Sequence, residues 1–157
     1  AAGYYVASIN GQRIGDAVLD PGFTAFDHRI LYASYDVTGQ LRSGTNAIGV
    51  CLGRGCYAMD TSQKILWWNA VKWLSRQPKL LAKLDITFTD NTHETVVSGP
   101  DWKTHNGPTT SDSLYRGESY DARLELPKWN TSDCDITGWH NARVAAAPTT
   151  NLQAQMA

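Results

Sequence analysis

The stretch Leu80-Leu81-Ala82-Lys83-Leu84-Asp85-Ile86-Thr87-Phe88-Thr89-Asp90-Asn91-Thr92-His93-Glu94-Thr95-Val96-Val97-Ser98 decides the fold class. Leu80, Ala82, Leu84, Ile86 and Phe88 recur at every second position, the period at which a strand presents one face to a core. Asp90-Asn91 follows as turn chemistry, and Glu94 to Ser98 returns with β-branched residues. Two apolar-alternating runs joined by a short polar turn predict an antiparallel hairpin.

The same signals extend in both directions. Tyr4 to Gly15 reads as two strands around Asn10-Gly11, because a tight hairpin needs positive φ at both turn positions and Asn-Gly adopts it at little cost. Asp20-Pro21-Gly22 marks a turn, and Ile30 to Tyr35 mixes β-branched and aromatic residues as a third strand would. Asp36 to Gly44 has a capping-type start and glycine stops over too few residues for more than one helical turn. Asn46 to Leu52 is mostly apolar, as in a strand covered on both faces, and ends at Gly53-Arg54-Gly55. Further strands are expected at Asp101 to His105 and Ser119 to Leu126, while the stretch from Ala145 lacks periodicity and reads as an edge segment or a linker. A helical period is sustained only near Ile65 to Leu74. Many short strands with regular turn signals predict an all-β protein, an antiparallel β-sandwich of jelly-roll type with one or two short helices, forming a single domain over residues 1–157.

Composition narrows the function. Fourteen basic and fifteen acidic side chains are dispersed, so no stripe exists to follow a phosphate backbone, and nucleic acid is not an expected partner. No apolar run reaches the roughly 20 residues that a membrane-spanning helix needs, and the first residues lack the layout of a signal peptide. Cys51, Cys56 and Cys134 permit at most one disulfide; a Cys51–Cys56 bridge is conceivable, but buried free thiols are the expectation.

Catalytic signatures are absent: there is no phosphate-cradling glycine loop, HExxH, paired CxxC or GxSxG. His28, His93, His105 and His140 are scattered among turn residues, which fits surface or capping roles. Glu118, Tyr120, Asp121 and Arg123 form a dense polar group, read as a satisfied network tying strand to loop because such charges must be paired. The run from Gly55 to Trp73 differs, with three of the six tryptophans beside Asp, Asn, Gln and Lys. A sugar needs a flat aromatic for its C–H face and amides or carboxylates for its hydroxyls, and this run holds both. Tyr57, Asp60, Trp67, Trp68 and Asn69 are therefore candidate ligand-binding residues, joined by Asn106; the alternative is that the tryptophans cap an open end of the fold. Calcium is the cofactor that Asp60 and Asn69 suit, since it takes carboxylate and amide oxygens without strict geometry.

Several segments in fixed order carry a family likeness: Asp36-Val37-Thr38, Gly44-Thr45-Asn46-Ala47-Ile48-Gly49-Val50, Leu52-Gly53-Arg54-Gly55-Cys56-Tyr57, Asp101-Trp102-Lys103, Gly107-Pro108, Gly117-Glu118-Ser119-Tyr120-Asp121-Ala122-Arg123 and Gly138-Trp139. With these the chain resembles the N-terminal β-sandwich domain of α-L-rhamnosidases, over nearly its whole length. The resemblance implies a secreted, extracellular, non-catalytic domain, since rhamnosidase chemistry resides in a separate helical barrel. It implies either a lectin-like module binding terminal L-rhamnose on glycans, with or without calcium, or a structural accessory that packs against the catalytic domain and has no sugar site. Hydrolysis by Asp121 and Glu118 in this chain alone is disfavoured.

Overall fold

The computed structural model describes residues 1–59 and 77–156. The first strands follow the Asn-Gly signal. β1 (Tyr4–Ile9) turns back into β2 (Gln12–Arg13) through Asn10 and Gly11, whose φ values of 52° and 82° are the left-handed pair that the turn requires. β1 is the centre of a three-stranded sheet, with β4 (Ile48–Gly53) antiparallel on its other side in the register Tyr4↔Gly53 to Ile9↔Ile48. Ser8 donates its hydroxyl to the Gly49 carbonyl at 3.2 Å, which satisfies a buried polar group inside the sheet.

Two amides join this sheet to the connection before β4. Asn10 Nδ2 donates to the Gln40 carbonyl at 3.0 Å and to Asn46 Oδ1 at 2.8 Å, while the Ala47 amide donates to Asn10 Oδ1. Asn46 in turn closes its own loop through Arg42 and Gly44. The helical content here is a 3₁₀ turn at Thr38–Gln40, as the short capped segment predicted, opened by Asp36 Oδ1 accepting from the Thr38 amide and hydroxyl.

β3 (Arg29–Tyr32) is shorter than the predicted strand and finds an unexpected partner. It pairs in parallel with β11 (Asn151–Ala154), register Arg29↔Asn151 to Tyr32↔Ala154. The aperiodic C-terminal stretch therefore contributes a strand rather than a linker. The remaining pairs are antiparallel: β5 (Lys83–Thr87) with β6 (His93–Val97), β8 (Thr109–Ser113) with β9 (Gly117–Tyr120), and β7 (Lys103–Thr104) with β10 (His140–Asn141). In β5, Leu84 and Ile86 are half-buried between exposed neighbours, the alternation read from the sequence. Asn91 sits at φ 64° in the β5–β6 turn.

Three expectations are corrected. β4 is not covered on both faces: Cys51 and Leu52 are exposed because β4 borders its sheet. The strand expected through Leu126 stops at Tyr120, where Asp121 caps a 3₁₀ turn at Ala122–Leu124 by accepting from the Arg123 amide. The cysteines are free thiols as expected, but Cys51 is exposed and Cys56 and Cys134 are half-buried. Among the described residues the protein is all-β, with two 3₁₀ turns and no helix long and apolar enough to cross a membrane.

The core gathers Ala2, Phe26, Ile30, Tyr57 and Ala58, with Cys56 against it, and Ile9 is the largest fully buried side chain. Gly49 explains how the far connection reaches the sheet: a Cβ there would lie 2.6 Å from Asn130 Cβ and 2.8 Å from the Trp129 ring. Only a residue without a side chain lets the 129–130 segment close on β4, and the Asn130 carbonyl accepts from the Gly11 amide.

A buried polar knot ties the chain ends together. Asp20, 4 % exposed and next to the cis Asp20–Pro21 bond, accepts from Gln155 Nε2 at 2.7 Å and from the Tyr35 hydroxyl at 3.3 Å. The Tyr35 hydroxyl donates its hydrogen bond to Asp20, so it accepts from the Tyr5 hydroxyl 3.2 Å away. Gln155 Oε1 accepts from the Gly22 amide, so one side chain bridges both ends of this turn.

Candidate functional site

Of the predicted ligand residues, Asp60, Trp67, Trp68 and Asn69 lie outside the described residues, as does the calcium pair Asp60 and Asn69. Among the described residues, no three His, Cys, Asp or Glu side chains converge as a metal site would require.

Tyr57 is described, and the structure places it in the core. It is 4 % exposed, with its ring edge-on to Phe26 at 5.2 Å and 88°. This candidate ligand residue is therefore buried rather than on the surface: the chain turns at Gly53-Arg54-Gly55, and Gly55 at φ 53° sends the following residues inward beneath Tyr4. That turn is held by Asp112, which accepts from the Arg54 amide at 2.6 Å and pairs with its guanidinium at 3.3 Å. Tyr57 also lines a cavity of about 290 Å³ with Phe26, Asp27, Ile30, Lys79 and residues 146–150. Thr150 Oγ1, on this wall, is buried with no hydrogen-bond partner among the described residues.

Asn106 is exposed just beyond β7, in a setting that the sequence did not reveal. Its carbonyl lies 2.7 Å from His105 Nδ1, and because a carbonyl only accepts, the proton sits on Nδ1. The His105 ring rests against Trp139 at 5.5 Å, tilted by 35°. The β7–β10 pairing Thr104↔His140 and Lys103↔Asn141 sets these groups side by side, and Lys103 Nζ donates to Asn141 Oδ1. The His105 imidazole, the Trp139 indole and the Lys103–Asn141 pair thus lie together along β7 and β10. His105 and Trp139 are 34 positions apart, so only knowledge of this strand register could have united them.

Within the polar group Glu118, Tyr120, Asp121 and Arg123, the structure shows two paired contacts, Asp121 with Arg123 and Tyr120 with Glu125. Asp121 takes a two-pronged grip from Arg123, Nε at 2.8 Å and NH2 at 2.6 Å, which holds its carboxyl below the usual range. The Tyr120 hydroxyl donates to Glu125 at 2.7 Å, and that bond raises its pKa above the ordinary phenol value. Both Asp121 oxygens are thereby engaged by Arg123.

Comparison with known proteins places these features. The model of the α-L-rhamnosidase N-terminal domain matches residues 1–157. An α-L-rhamnosidase of Formosa agariphila is 36 % identical over 153 residues, which cover 98 % of this chain and 16 % of that protein. The structure of an α-L-rhamnosidase from Dictyoglumus thermophilum superposes with a TM-score of 0.85 at 41 % identity, over 99 % of this chain and 16 % of the other. A Streptomyces avermitilis α-L-rhamnosidase, solved in complex with L-rhamnose, gives a TM-score of 0.78 at 35 % identity over 92 % of this chain and 14 % of that one. The chain thus spans about a sixth of the relatives it matches.

Proposed function

Because the chain belongs to the α-L-rhamnosidase N-terminal domain family, corresponding to an accessory rather than the catalytic domain, we propose that it works by docking onto the remainder of such an enzyme. The observation that carries this reading is exposed aliphatic surface. Val18, Val144 and Leu81 are all more than half exposed, as in a domain whose packing is completed by another body. Deleting residues 1–157 from the longer polypeptide should lower the melting temperature of what remains; an unchanged melting temperature sinks the docking reading. The purified chain should not turn over an aryl α-L-rhamnoside, and turnover would overturn its accessory role.

A second reading is recognition of L-rhamnose on extracellular glycans, with Trp67 or Trp68 stacking on the sugar and Asp60, Asn69 and Asn106 pairing with hydroxyls or calcium. It is favoured by the exposed Asn106, whose backbone carbonyl bonds to the His105 ring that rests against Trp139. Calorimetry with L-rhamnose, with and without a chelator, tests it. Millimolar or tighter binding that the chelator removes supports both sugar and calcium, and no heat at millimolar sugar sinks it.

A further inference from the structure

Val18 and Leu19 invert the usual order of burial. They are 78 % and 63 % exposed, yet the residue that follows, the charged Asp20, is 4 % exposed. Leu19 also holds φ at 58°, a left-handed conformation in which its Cβ crowds the backbone and which leucine adopts only at a cost. The backbone is fixed on both sides of the pair. Arg13 donates to the Ala17 carbonyl, and the Asp20 carboxylate is locked by Tyr35 and Gln155 while its carbonyl accepts from the Tyr5 amide. The polar knot therefore pushes two large aliphatic side chains outward on a strained, rigid knuckle. An unconstrained loop would turn the leucine inward and the aspartate to water, so strain of this kind points to a contact outside the chain.

Resting on the docking reading above, we propose that Val18 and Leu19 form a preorganised contact seated in the polypeptide that follows this domain in α-L-rhamnosidases. Two observations select that occupant. Gln155, directly after β11, is hydrogen-bonded to both Asp20 and Gly22, so the knuckle lies beside the last strand of the matched region; and about five-sixths of each matched relative lies outside that region. Preorganisation matters because ordering a loop on contact would otherwise consume much of the binding energy.

Amide hydrogen exchange of residues 16–22 tests this, measured in the isolated chain and in the longer enzyme. Exchange at least tenfold slower in the enzyme is expected, with the slowing lost in V18D. Slowing confined to other segments overturns the knuckle and leaves the docking reading standing; no slowing anywhere overturns both. L19G separates strain from contact. In the isolated chain it should raise the melting temperature by a few degrees, since glycine adopts this φ freely, while in the enzyme it should lower protection at residues 16–22. If L19G or V18D unfolds the isolated chain, these side chains serve the domain's own packing and the proposal fails.

Discussion

Replacing Asp20 with alanine tests whether the buried knot holds the domain together. The carboxylate, 4 % exposed, is the acceptor for Gln155 Nε2 and the Tyr35 hydroxyl; Gln155 is half-buried and Tyr35 is 38 % exposed, so water can replace part of what those donors lose. A hydrogen bond to a charged group contributes about 1.5–3 kcal/mol, and with the donors partly solvated Asp20→Ala should destabilise by roughly 1–3 kcal/mol. That is a sizeable part of the roughly 5–15 kcal/mol by which a domain is usually stable. Asp20→Asn keeps one carbonyl oxygen but turns an NH2 towards one donor, so about 1–2 kcal/mol is expected. Urea unfolding followed by tryptophan fluorescence gives the values, and with a slope of about 2 kcal/mol per molar the alanine midpoint should fall by at least about 0.5 M. Gln155→Leu removes one donor on the other side, and the double variant should show coupling of about 0.5–3 kcal/mol. If Asp20→Ala lies within about 0.5 kcal/mol of the parent, the knot is not a stabilising network.

Other perturbations address separate features. Gly49→Ala puts a methyl group 2.6 Å from Asn130 Cβ and 2.8 Å from the Trp129 ring, so overpacking of about 1–3 kcal/mol should appear as a lower melting temperature. Thr150→Val removes a buried hydroxyl with no partner among the described residues at nearly constant shape, so unfolding free energy should be unchanged or raised by about 1 kcal/mol, measured in urea. Burial first, then hydrogen bonding with Asp20 and Tyr35, drives the Tyr5 phenol far above its ordinary value. Its folded pKa is raised, so stability is complete below about pH 10 and falls above it, where only the unfolded state releases the proton; Tyr5→Phe should flatten that decline in melting temperature.

Local rules made much of the fold legible. Asn10-Gly11 and the alternation from Leu80 to Phe88 each specify a hairpin through φ preference and side-chain period, and both hairpins formed where expected. Asp36 and Thr38 also announced their 3₁₀ turn. Local rules failed where a distant partner decides. β3 pairs with β11 in parallel, and such pairing requires a long connection and carries no turn signature. Ser119 to Leu126 looked strand-like throughout, but Asp121 captured the Arg123 amide and bent the chain. Tyr57 was read with the polar run in which it lies, yet its burial follows from Gly55 and Phe26, which are neighbours in space. For the candidate surface, Asn106 could be named from chemistry alone, whereas the His105–Trp139 pair beside it depends on the β7–β10 register.

The parallel pair of β3 and β11 has a kinetic consequence. Its two strands are separated by more than a hundred residues, so the loop that must close before they meet is about three-quarters of the chain. On the ribosome, the β1–β2 hairpin and the β5–β6 hairpin can form as soon as they emerge, while the edge at Arg29–Tyr32 waits for Asn151–Ala154 to be synthesised. Until then the β3 amides and carbonyls are open to pairing with any other extended segment. A chain stopped short of residue 151 should therefore be prone to aggregation even though its core residues are all present.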